Sequence, residues 1–169
     1  MSAIRFGGLE PRHRGRLAEI LTATGIFNDD EVEVALQLFD ATSEGYEFLG
    51  GFDSADALLA YACYGPTPGT DGTFDLYWIA VHPGAQGAGE GSRLLAEVEQ
   101  QLRTRAGRLL VAETSSRADY QPTRRFYERR GYREVARVAD FYAPADDRVI
   151  YAKRLTPKAT SADRPPPTH

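Results

Sequence analysis

The spacing of hydrophobic residues changes period several times along the chain, and each change marks an element. Leu17, Ile20 and Leu21 fall at helical spacing within Arg12 to Ala23, and Val32, Leu36, Leu38 and Phe39 do so within Asp29 to Ala41. Thr24 to Asn28 joins these two predicted helices, with Gly25 as C-cap and Asn28 as N-cap, Glu31 closing a capping box. Ile4 to Phe6 reads as a short first strand. Tyr46 to Phe52, Ala57 to Tyr64 and Thr73 to Val81 read as strands separated by Asp, Gly and Pro turns. Leu94, Leu95, Val98 and Leu102 then form one apolar stripe on a third helix. Leu109 to Ala112 reads as a buried strand, Pro122 to Arg130 as a helix stopped by Gly131, and Tyr132 to Val138 and Arg148 to Lys153 as final strands. This order predicts an α/β (α+β) fold, a mixed sheet with helices on its faces.

Composition narrows the function classes. At 169 residues the chain fits one domain, expected over 1–155, and the Pro-, Ser- and Thr-rich stretch 156–169 reads as a disordered tail. Hydrophobic residues make up 42% and charged residues 26%, the balance of a soluble globular protein. No apolar run approaches membrane-spanning length and no signal-peptide pattern opens the chain, which points away from a membrane. The lone Cys63 lies in the apolar run Leu58 to Tyr64 and reads as a buried structural thiol; together these features predict a cytoplasmic protein. A net charge of -4 argues against generic nucleic-acid binding. The charge is uneven, however. Asp29, Asp30, Glu31, Glu33 and Asp40 crowd the first third, and nine arginines fall between Arg103 and Arg133. The first region suits a cationic partner and the second a phosphate-rich ligand, although solvated helix faces account for many such charges.

The candidate chemistry sits where the strand ending Ile79-Ala80-Val81 meets His82-Pro83-Gly84-Ala85-Gln86-Gly87-Ala88-Gly89-Glu90-Gly91-Ser92 and then a helix. A glycine-rich turn at a helix N-terminus presents backbone N–H groups and the positive end of the macrodipole to an anion. A P-loop requires Lys and then Ser or Thr after its second glycine, but Glu90 and Gly91 follow Gly89. A dinucleotide fingerprint begun at Gly87 requires glycine where Ser92 stands. The pattern Gln-x-x-Gly-x-Gly, with Gln86, Gly89 and Gly91, fits instead. Together with Phe126-Tyr127-Glu128-Arg129-Arg130-Gly131-Tyr132, it resembles the GNAT superfamily of acetyl-CoA-dependent N-acyltransferases. The resemblance covers residues 3–155.

That resemblance implies a mostly antiparallel mixed sheet in which two parallel strands, Phe74 to Val81 and Leu109 to Thr114, splay apart around acetyl-CoA. Backbone amides of Gly87, Ala88, Gly89, Glu90, Gly91 and Ser92 would hold the pyrophosphate, and Ile79, Ala80 and Val81 would pair with pantetheine and polarise the thioester carbonyl. Arg93, Arg124 and Arg125 are candidates for the 3′-phosphate. Tyr127 takes the position of a general acid that protonates the departing thiolate. Glu113 or Asp75 would serve as base, Glu113 being narrowly preferred, while His82 reads as a turn residue. Where members carry Asn seven residues before the tyrosine, this chain has Tyr120 in a longer segment, leaving Ser116, Tyr120 and Thr123 to take that contact. Phe27, Asn28, Tyr46, Tyr77, Phe141 and Tyr142 fall near the implied acceptor site. The implied activity is acetylation of a small-molecule amine, with no metal, in a homodimer. Protein N-termini or lysines, and a non-catalytic coenzyme A-binding role, remain the alternatives.

Overall fold

The computed structural model describes residues 4–41 and 45–155, so the tail expected over 156–169 lies outside the described residues. Seven strands form one sheet: β1 (Arg5–Gly8), β2 (Glu47–Phe52), β3 (Leu58–Pro66), β4 (Thr73–Val81), β5 (Leu109–Ser115), β6 (Arg133–Ala143) and β7 (Asp146–Arg154). Their order across the sheet is β1-β2-β3-β4-β5-β7-β6, and only β4 and β5 are parallel. The helices are α1 (Arg14–Thr24), α2 (Asp29–Asp40), α3 (Glu90–Thr104) and α4 (Gln121–Arg129). The mixed, mostly antiparallel sheet flanked by helices is the predicted fold class.

Local signals placed most boundaries. Asn28 accepts from the Glu31 amide while Glu31 accepts from the Asn28 amide, the reciprocal box that starts α2. Gly25 ends α1 in the left-handed region at φ 68°. The last hairpin departs from expectation: β6 runs on past Val138 to Ala143, paired with β7 through Ala143↔Asp146. All eleven of its residues are exposed at the sheet edge, so burial imposes no alternation by which its end could be read.

Helices on opposite faces create two cores. Leu94, Leu95, Val98 and Leu102 of α3 pack with Phe74, Leu76, Leu110 and Ala112, while α1 and α2 bury Leu17, Ile20, Leu21 and Leu36 against Tyr61 and Ala80. The phase of β4 changes between them. On β3, Tyr64 pairs with Leu76 and Cys63 with Trp78, so Tyr77 is an extra residue, a β-bulge. Leu76 therefore faces α3, yet Trp78 and Ala80 both pack with α1 and α2, and Ile79 and Val81 turn to the α3 side.

The bulge coincides with the end of parallel pairing. β4 and β5 pair only from Thr73↔Leu109 to Leu76↔Ala112, whereas β5 stays paired with β7 along its whole length to Ser115↔Arg148. Beyond Leu76 the two strands part. The edge of β4 along Ile79 to Val81 is left without a strand partner on that side.

Candidate active site

The glycine turn fills the end of this opening. Past Val81, His82 Nδ1 accepts from the Gly84 amide at 3.1 Å, capping a single 3₁₀ turn over Pro83–Ala85. Gln86 folds back, its Nε2 donating to the Val81 carbonyl at 3.0 Å. Gly87 and Gly89 adopt φ values of 83° and 82°, which side chains other than glycine's rarely tolerate. Gly91 has a different role: a Cβ there would stand 3.2 Å from Phe126 and 3.3 Å from Val81. The amides of Glu90, Gly91 and Ser92 form the first turn of α3, where no intrahelical carbonyl reaches them.

A cleft of about 560 Å³ runs between this turn, the free edge of β4 and α4. Ile79, Ala80, Val81, Gln86, Gly87, Gly89, Glu90, Gly91, Ser92, Thr123 and Tyr127 line it; Ala88 is exposed and does not. Arg93, Arg124 and Arg125 are absent from its walls as well. Arg93 turns to Glu90 at 3.4 Å, and Arg124 donates to the carbonyls of Ser115 and Arg117 at 2.7 and 2.9 Å. Arg129 and Arg130 line the cleft instead. Arg130 lies over the Phe126 ring, 3.8 Å from its centroid, donates to the Phe126 carbonyl at 2.9 Å and bonds the Ser92 hydroxyl. Its Nε is buried without a partner, and burial together with Arg129 lowers its pKa.

Tyr127, 5% exposed, projects from α4 among the rings of Phe126, Tyr132 and Tyr151 at centroid distances of 5.5 to 5.8 Å. Desolvation pushes its phenol well above the ordinary range, so it holds its proton. Among the described residues no protein group hydrogen-bonds that hydroxyl.

A second cavity, about 1110 Å³, opens on the α2 side of the sheet. Phe27, Tyr77, Trp78, Glu113, Thr114 and Tyr120 line both cavities and so mark their junction. The bulge at Tyr77 makes this sharing possible by turning consecutive residues of β4 toward the gap. Glu113 is ion-paired with Arg148, whose pKa the carboxylate raises by hydrogen bonding. Asp75 lies back in the paired part of β4, accepts from Thr67 Oγ1 at 2.7 Å and touches only the second cavity. Of the other expected acceptor residues, Asn28 and Tyr142 line it, but Tyr46 packs on Tyr77 and Phe141 lies beneath Arg148, both outside its walls.

Several wall residues escaped the sequence reading. Trp78 Nε1 and Thr114 Oγ1 are buried polar atoms without partners at the junction, and Asp146, 6% exposed, bonds the Ser115 hydroxyl in the second cavity. Trp78 and Thr114 adjoin residues already singled out on their strands. Asp146 has no motif around it, and nothing in the local sequence separates it from a turn acid. Among the described residues no cluster of His, Cys, Asp or Glu has metal-binding geometry.

The profile of the Acetyltransferase (GNAT) family matches residues 14–132. A crystal structure from Desulfovibrio desulfuricans, described as an acetyltransferase of the GNAT family, is 43% identical, with 91% of this chain and 100% of that chain covered at a TM-score of 0.87. An aminoglycoside 6′-N-acetyltransferase complexed with coenzyme A is 17% identical, covering 92% of this chain and 99% of its own at 0.74. A Salmonella typhimurium protein solved with acetyl-CoA is 20% identical, covering 94% and 98% at 0.72. These last two share the fold. No curated protein sequence matches the chain. With a glycine turn beside the parted strands, a family profile spanning most of its length and a close structural relative, the chain belongs to the GNAT family of acetyltransferases.

Proposed function

We propose that the enzyme transfers the acetyl group of acetyl-CoA to a primary amine of a small molecule by direct attack. One observation carries this reading: the cleft holding the glycine turn and Tyr127 opens at Glu113 into a second cavity. Donor and acceptor thus have separate entrances and one meeting point.

The donor cleft suits acetyl-CoA on its own features. The first-turn amides of α3 and the Arg130 guanidinium present donors to phosphate groups, and a Cβ at Gly91 would crowd the wall there. When bound, acetyl-CoA supplies an acyl thioester whose carbonyl carbon takes the amine and whose sulfur leaves as a thiolate.

The chain's own groups then have distinct tasks. Backbone N–H groups along Ile79 to Val81, free of β5, orient the pantetheine arm and offer a hydrogen bond to the thioester oxygen. Glu113 takes the proton that the attacking ammonium must lose, directly or through one water. Arg148 holds that carboxylate at the junction by their ion pair. Tyr127 donates its phenolic proton to the departing sulfur and recovers one from solvent. Cys63, the only cysteine, is 1% exposed and lines neither cavity, which favours direct attack over an acetylated thiol. A cytoplasmic location and the homodimer implied by the resemblance belong to the same reading.

Thiol release measured across an amine panel, with mass spectrometry of each product, tests the proposal. Acetylated small amines are the expected product. Acetylation confined to polypeptides, or tight acetyl-CoA binding with no thiol released, would replace it with one of the two alternatives.

A further inference from the structure

Glu90 is out of keeping with the cleft it lines. It is the first residue of α3 and its amide is one of those free to meet phosphate, yet its side chain is a carboxylate in the cleft wall, 9% exposed. Side chains of a helix lean toward its N-terminus, so this carboxylate is carried toward the end with the free amides. An acidic residue in a first turn commonly stabilises its helix through the macrodipole while remaining in water. Glu90 is instead buried.

Its compensation is incomplete. Oε1 meets Arg93 at 3.4 Å, a half-exposed side chain outside the cleft walls, and Oε2 is buried with no partner. Arg129 and Arg130 do line the cleft, but no nitrogen of either lies within 4.0 Å of this carboxylate. Arg130 is engaged with Ser92 instead, and its own Nε is left unpartnered. A buried acceptor and a buried donor thus stand in one cleft without meeting, and each is costly to bury alone.

Coenzyme A and acetyl-CoA carry identical phosphates. Contacts to those groups hold donor and product equally, so they do not favour the chemical step and they retard product release. First-turn amides, the helix dipole and Arg130 all add to that grip. Only a nearby negative charge subtracts from it. Among the described residues, the acidic members of the cleft wall are Glu90 and Glu113, and of these only Glu90 stands at the glycine turn. Resting on the acetyltransferase reading, we infer that Glu90 is a counter-charge in the phosphate seat, one that weakens the hold on coenzyme A and hastens its departure after transfer. The residue acts on binding and release and takes no part in acyl transfer.

The test is calorimetric titration of the full chain with coenzyme A at low salt, with stopped-flow displacement giving the dissociation rate. Glu90→Gln removes the charge and keeps the shape, and it should bind coenzyme A about three- to tenfold more tightly. Dissociation should slow by about the same factor, because affinity changes within one interface fall mostly on the off-rate. Glu90→Ala, also uncharged, should do likewise and guards against misfolding of the first variant. Glu90→Asp retains the charge and should stay within about twofold of the native chain. A merely structural role would move all three variants toward weaker binding. Unchanged or weaker binding in the two uncharged variants overturns the inference, as does equal tightening in Glu90→Asp, which would make shape the cause. Thiol release over an amine panel, run in parallel, separates the two readings. Tightening without turnover leaves the counter-charge standing and removes the proposed function. Turnover with unaltered affinity does the reverse, and a native chain that fails to bind coenzyme A loses both.

Discussion

The guanidinium of Arg148 on β7 bonds the carboxylate of Glu113 on β5 where the two cavities of this enzyme meet. The pair ties the Glu113 side chain to β7, the strand with which β5 is paired along its whole length.

Glu113→Gln preserves the shape and removes the proposed base. Thiol release should show kcat/KM lowered about 100-fold, the ordinary contribution of a general base. Asp75→Asn, at a site set back among paired residues, should change it by less than about threefold. Comparable losses in the two variants would sink the assignment.

Tyr127→Phe should lower kcat by about 100-fold and alter acetyl-CoA affinity by less than about threefold. Burial raises the phenol pKa above its ordinary value near 10. The acid therefore remains protonated across the neutral and mildly alkaline range. The kcat profile should show no Tyr127-dependent fall up to about pH 10; an alkaline decline that disappears in Tyr127→Phe would contradict this.

Two glycine variants should separate conformation from contact. Gly89→Ala places a side chain at φ 82° with open space around it, so thermal melting should report a loss of about 1–2 kcal/mol. Gly91→Ala keeps a helical backbone but presses on Phe126 and Val81 in the cleft wall. Its larger effect should be on acetyl-CoA affinity, measured by titration.

Arg130→Met retains a stem over Phe126 and discards the charge. Acetyl-CoA should bind about tenfold more weakly, and its salt dependence should diminish. Unaltered affinity at low salt would remove Arg130 from the phosphate site.

Burial raises the Cys63 thiol to about 12. In the native protein, alkylation at pH 8.5 should proceed only as fast as global unfolding, which also keeps thiol-release assays free of background. The sign of the linkage follows. The folded protein binds this proton more tightly than the unfolded chain, so the Cys63 contribution to stability is complete below about pH 8.5 and is lost as pH rises toward 12. Guanidinium melts of the native chain and Cys63→Ala at alkaline pH compare the two.

Short-range signals were readable without the fold. The Asn28 box and the Gly25 cap depend on residues three or four apart, and β4 begins and ends where its turn residues predict. The end of β6 was not readable, because an exposed edge strand carries no burial pattern. Nor was it readable which arginines line the cleft. Successive residues of α4 point about 100° apart, and only its docking on the sheet decides that Arg129 and Arg130, rather than Arg124 and Arg125, meet the cleft. Phe141 and Tyr142 divide in the same way, one under Arg148 and the other in the wall of the second cavity.

Residue order alone determined the glycine turn, the helix after it and the later tyrosine, and with them the family. The opening itself was a tertiary decision. A single extra residue at Tyr77 shifts the phase of β4, parallel pairing stops at Leu76, and carboxylates distant in sequence, from Asp30 to Asp146, come to surround one cavity. Strand register and helix docking are long-range outcomes of packing, so the second cavity emerges only when both cores have closed.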